Sequence, residues 1–198
     1  MSQQLASDPP KRTPELLFQA TLHHVAEVVE ATLGGGRRSR VTVRIGDHLV
    51  PLAPTPKMHT QMQRELPGGL QKLTIYPRTD ALGVLDSGTA LARSTQAATT
   101  AVREYPLQVL GRLVRVDRGE GLIVMRIYPN RGARGGQVFH LSLLASLELI
   151  DGLPAPGRGL FVQGALRPRS LRLVALKATA TKLPPHARPE PDGVVREA

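Results

Sequence analysis

Along residues 14–33 the apolar positions Phe18, Leu22, Val25, Val29 and Leu33 recur every three or four residues, the spacing of one face of an amphipathic helix. Thr13-Pro14-Glu15 offers an N-cap, a first-turn proline and a first-turn acid, and Gly34-Gly35-Gly36 offers a stop, so the pattern predicts a helix over 14–33. From Arg40 the period drops to two. Val41, Val43 and Ile45 alternate with Thr42 and Arg44, Gly46-Asp47 turns the chain, and Leu49-Val50 leads it back, which predicts a hairpin. Met58, Met62 and Leu66, four apart and ended by Pro67-Gly68-Gly69, predict a short helix over 56–66. Gln71 to Pro77 reads as a strand, with Ala81 to Leu85 as its hairpin partner. Residues 86–106 begin with a run of Ser, Thr, Ala and Gly and read as a linker or a loose helix.

From Leu107 the pattern becomes regular. Leu107 to Val116 reads as a strand, Asp117 to Gly121 as a tight turn, and Leu122 to Tyr128 as a second strand. Pro129 to Gly136 is a basic, glycine-containing loop, and Val138 to Leu144 a third strand. A short helix around Leu147 to Ile150 is stopped by Gly152 and Pro154, and Leu160 to Leu166 with Leu171 to Ala178 forms a last hairpin. The order is β-β-β-α-β-β. The expected division is a disordered start over 1–13, a helix plus small α+β unit over 14–85, the linker over 86–106, a barrel over 107–183, and a Pro-containing disordered tail over 184–198.

That order, with Gly111 in the first strand and Val162-Gln163-Gly164-Ala165-Leu166-Arg167 as the fourth, resembles the OB-fold and in particular its single-stranded-DNA-binding members. The fold class expected is therefore α+β, mainly β, with a five-stranded OB-like Greek-key barrel in the C-terminal half. The resemblance implies a ligand on the face of the second and third strands, flanked by the first turn and the last hairpin loop. Ile75-Tyr76-Pro77-Arg78-Thr79-Asp80 is also similar to uncharacterised small proteins of cyanobacteria, which implies a bacterial cytoplasm. Ile75-Tyr76-Pro77-Arg78 echoes Ile127-Tyr128-Pro129-Asn130 at an offset of 52, an interval that suits tandem similar units. The first half is then either a degenerate second barrel or a small α+β cap.

Composition narrows the chemistry. With 41% hydrophobic residues in 198, the chain can bury one full core and a smaller companion, but aromatics are 3% and Trp is absent, so the packing must be aliphatic. The absence of Cys excludes disulfides, thiolate metal sites and a Cys nucleophile. No signal-peptide pattern opens the chain and no run reaches the ~18 apolar residues of a membrane span, so a soluble cytoplasmic protein is expected. The six histidines show no His-x-Glu or His-x-x-x-His spacing, and Gly34-Gly35-Gly36-Arg37-Arg38 ends a helix where a phosphate loop would open one. No Gly-x-Ser-x-Gly elbow occurs. Neither an enzyme, a cofactor nor a metal is expected.

The net charge of +10 and the pI of about 11.0 point to a polyanionic partner. The charge is −2 over 1–36, +5 over 37–106, +8 over 107–183 and −1 over 184–198, so it sits on the parts that read as strands. A single-strand site needs cations along the backbone and flat groups for bases, each stacked base contributing about 1–3 kcal/mol. Arg112, Arg115, Arg118, Arg126, Arg131 and Arg134 alternate with apolar residues along the first two barrel strands and their loop, and Arg favours bidentate phosphate contacts and stacking. Tyr128 stands beside the Arg-Gly loop, Tyr76 and Arg78 share its local pattern, and Arg167, Arg169 and Arg172 cluster with Lys177 around the last hairpin. Phe139 and Phe161, inside apolar strands, are assigned to the core.

The function expected from the sequence is non-enzymatic binding of single-stranded DNA or RNA with low sequence specificity. The rival is an OB-fold adaptor or assembly factor recruiting an acidic or nucleic-acid-containing partner, through the apolar face of helix 14–33 or through the tail. Either form is compatible with a homo-oligomer.

Overall fold

The computed structural model describes residues 18–34, 39–86, 89–93, 105–129 and 137–183. It is mostly β, and its strands form one mixed sheet that closes on itself twice.

The first closure begins with a correction. The segment expected to be helical is a strand, β1 (Gln19–Thr32); residues 14–17 of that helix lie outside the described residues. The period that decides is two: Ala20, Leu22, Ala26 and Val28 are buried, while Val25 and Val29, which completed the helical spacing, are 52% and 44% exposed. β1 pairs antiparallel with β2 (Arg40–Ile45), which pairs antiparallel with β3 (His48–Pro54) through the expected Gly46-Asp47 turn. Helix α1 (Pro56–Met62) follows, capped by the Thr55 hydroxyl, which accepts from the Met58 amide, and opened by proline at its first position. It buries Met58 and Met62. β4 (Gly69–Tyr76) returns to β1, and β5 (Ala90–Arg93) lies antiparallel to β4 and parallel to β3, so the ring runs β1-β2-β3-β5-β4-β1. β5 stands inside the expected linker. Ala81–Leu85 is not the hairpin partner of β4: the Asp80 carboxylate accepts from the Leu82 and Val84 amides, both at 2.9 Å, and folds the stretch into a turn.

The second half repeats this connectivity. β6 (Leu107–Asp117), β7 (Leu122–Ile127) and β8 (Phe139–Leu144) form an antiparallel meander. Helix α2 (Leu147–Asp151) is capped by Ser146 and stopped at Gly152. β9 (Gly159–Arg167) and β10 (Arg172–Thr181) form the last hairpin, β10 meets β8 in parallel, and β9 closes onto β6. At Gly111 β6 leaves its pairing with β1 and takes up β7; a Cβ there would stand 2.6 Å from the Arg126 carbonyl oxygen. The equivalences run β1 with β6 through β5 with β10, which separates the two Tyr-Pro motifs. Tyr76 ends β4 whereas Tyr128 follows β7, so their echo does not mark the repeat.

The two rings share backbone. Gln19–Leu22 of β1 pairs with Leu110–Leu107 of β6, and the His23 amide donates to the Pro106 carbonyl at 3.0 Å. The turn over 79–86 lies against the second ring, with the Leu85 amide donating to Leu171 O and the Leu173 amide to Gly83 O, each at 3.0 Å, and the Ser142 amide to the Thr79 hydroxyl at 2.8 Å. One aliphatic core runs through both rings, including Leu22, Val43 and Ile75 on one side and Leu113, Met125 and Leu141 on the other. Phe139 is partly buried against that core, and Phe161 is half-buried. Among the described residues no helix is long and apolar enough to cross a membrane.

Candidate nucleic-acid interface

Leu113, Met125 and Leu141 face one another across β6, β7 and β8 and point into the second ring. The alternation that buries them turns their neighbours outward, so Arg112, Arg126 and His140 stand in one row across the same three strands, Arg112 opposite Arg126 and Arg126 opposite His140. The Arg126 Nε donates to His140 Nε2 at 3.2 Å. A ring nitrogen that accepts is unprotonated, so this bond requires neutral His140. Partial burial, and then the Arg126 charge, hold the His140 pKa below the ordinary histidine value. Beyond a bulge at Val114, Arg115 projects next to the row, opposite Val124, and is exposed.

Tyr128 closes the row at the end of β7. Its ring is 5.0 Å from that of buried Phe18, at an interplanar angle of 44°, and the Arg112 guanidinium lies 5.8 Å from its centroid. The Tyr128 hydroxyl and the Arg112 Nε are both buried without a hydrogen-bond partner among the described residues. Buried polar atoms of this kind call for a partner group. Arg131 and Arg134, in the adjoining Arg-Gly loop, lie outside the described residues.

The remaining candidates fall elsewhere. Arg118, in the β6–β7 turn, is ion-paired with Asp151 at the end of α2, with both side chains more than half exposed. An exposed pair of this kind contributes little, so Asp151→Ala is expected to change unfolding free energy by under about 1 kcal/mol in a denaturant titration. Arg167 and Arg172 oppose each other at the foot of the β9–β10 hairpin and Arg169 sits on its turn. Arg167 and Arg169 are exposed and line a cleft of about 680 Å³ completed by Gly46 and Asp47 of the first ring. Tyr76, 38% exposed, ends β4. Arg78 lies over the Phe139 ring, 3.2 Å from its centroid; burial lowers its pKa and nearby Asp86 opposes that shift. The fold therefore assembles Arg112, Arg115, Arg126 and Tyr128 into one face, gathers Arg167, Arg169 and Arg172 at a separate hairpin, leaves Tyr76 on the first ring, and brings Arg78 from the segment after β4 onto Phe139 of β8.

His140 is the member of the row that the sequence did not reveal. Its alternation with Phe139 and Leu141 is the available signal for an outward-facing side chain, but placing it beside Arg126 requires the β7–β8 register, which that alternation does not fix. Among the described residues no three His, Cys, Asp or Glu side chains are grouped to hold a metal ion. Compared with models of known protein families and with curated proteins, the chain matches none.

Proposed function

We propose that the protein binds single-stranded nucleic acid, DNA or RNA, on the outer face of β6, β7 and β8, without catalysing a reaction. The observation that carries this reading is the row Arg112, Arg126 and His140, laid across three adjacent strands of a strongly basic half. Adjacent strands lie about 4.8 Å apart, so donors in such a row can follow a flexible phosphodiester chain. The ring supports the reading at the level of fold: its β-β-β-α-β-β order and β6-β7-β8-β10-β9-β6 closure agree with the OB class, whose second and third strands carry oligonucleotides.

The equivalent face of the first ring has another character. There Arg44 is paired with Glu27 at 2.9 Å, and the outward positions of β3 include exposed Leu49 and Pro51. Cationic capacity is thus concentrated on the second ring. Arginine contacts to phosphates carry no sequence information and Tyr128 is packed against Phe18, so low sequence specificity follows.

The test is fluorescence anisotropy of labelled oligo-dT, oligo-rU and a duplex of equal length across a salt series. Single strands are expected to bind more tightly than the duplex, with log K falling against log salt by about 0.7 per phosphate contacted. Equal, weak binding of all three, lost by physiological salt, would sink the proposal.

A further inference from the structure

The row contains a bond next to which a phosphate would bind: the Arg126 Nε donates to His140, and the terminal nitrogens of the same guanidinium carry the further N–H groups that a phosphate can meet. Arg126 spends its Nε proton on His140 Nε2, and that arrangement exists only while His140 is neutral. The surroundings keep it so. Arg126 is its neighbour on β7, and Arg112 stands one strand further, on β6. On the other flank of β8 the first ring contributes Arg78, held over the adjacent Phe139, with Asp86 acting on Arg78 and Asp80 committed to the amides of its own turn. β10 pairs with β8 at Val174 and Leu144, neither of them charged, and the charged residue of β10 two positions before Val174 is Arg172, another cation. The field at His140 is therefore cationic, and a phosphate diester placed along the row would oppose it.

We propose that His140 is a proton-linked member of this anion site: neutral while it accepts from Arg126, it takes up a proton from solvent when phosphate occupies the row. This rests on the nucleic-acid reading above and adds a pH dependence to it. A group whose pKa is higher in the complex than in the free protein strengthens binding fully below its free pKa. That gain disappears as pH rises through the pKa of the complex. Acidification from about pH 8 to about pH 5.5 should therefore tighten binding of single strands through the range where histidine titrates.

The experiment is an anisotropy titration of labelled oligo-dT at fixed ionic strength over that pH range, with the wild-type chain and with His140→Gln. His23, His24, His48, His59 and His186 remain in the variant, so the difference between the two proteins isolates His140. The wild type is expected to tighten by about tenfold more than the variant, which corresponds to a pKa rise of about one unit on binding. In parallel, the His140 ring proton followed by NMR is expected to titrate at higher pH when the protein is saturated with oligo-dT. Equal pH dependence in the two proteins, with an unmoved His140 titration, overturns this inference and leaves the binding itself intact. Absence of wild-type binding at every pH overturns the nucleic-acid reading and the proton linkage with it.

Discussion

Gly164→Ala is expected to lower the melting temperature by about 6–12 °C, and the cause is one oxygen atom. Gly164 is buried in β9 where that strand pairs with both β6 and β10, opposite Leu107 on one side and Ala175 on the other. A Cβ at this position would sit well inside the van der Waals contact distance of the Val174 carbonyl oxygen. That oxygen belongs to backbone and has no rotamer to escape into, so the strands must separate or β9 must twist out of the ring. Overpacking costs about 1–3 kcal/mol, and a backbone oxygen that cannot move aside puts this site at the upper end; for a chain of this size each kcal/mol shifts the midpoint by about 2–4 °C. Gly68→Ala is the matched control, since nothing lies within 4 Å of the Cβ it would gain. Thermal unfolding followed by circular dichroism separates the two; equal midpoints would mean that β9 and β10 do not approach as described.

The largest expected effect on binding comes from Arg112→Gln combined with Arg126→Gln. Glutamine keeps most of the aliphatic stem while removing the charge, which in Arg112 lies over the Tyr128 ring. A hydrogen bond to a charged group contributes about 1.5 kcal/mol, so loss of two should weaken oligo-dT binding by about 100-fold at low salt. A second readout is more diagnostic than affinity. If each arginine neutralises one phosphate, the slope of log K against log salt becomes shallower by about 1.4. Weakened affinity with an unchanged slope would mean that the two arginines shape the face without touching phosphate.

The second ring was legible in the sequence because its strands alternate cleanly and its breaks carry strong punctuation. Asp117 to Gly121, Gly152 with Pro154, and Pro168 to Ser170 mark turns that the structure keeps. The first strand was misread for a physical reason. β1 serves two rings, and its inward positions include two small alanines, Ala20 and Ala26, while valines occupy outward positions. The larger residues taken alone then imitate a helical period. Its β-branched content, with Thr21, Val25, Val28, Val29 and Thr32, was the signal against a helix. β5 was hidden because four residues inside a run of small side chains carry no periodicity, and its place is set by backbone pairing to β3 and β4. Within the proposed interface, Arg112, Arg115, Arg126 and Tyr128 could be named from composition and spacing. Their grouping could not, since it depends on cross-strand register that no local pattern encodes.

The long reach of β1 also determines how the two halves can cooperate. Modules strung on a flexible tether gain from each other through an effective concentration that tether length adjusts. Here the spacing is written in main-chain hydrogen bonds, because the first residues of β1 belong to the sheet of β6 and the rest to the sheet of β4 and β2. If the proposed interface holds, a polymer lying on the β6–β7–β8 face would meet the other half at one distance and one angle. The backbone pairing of β1 would then set its footprint as a ruler does.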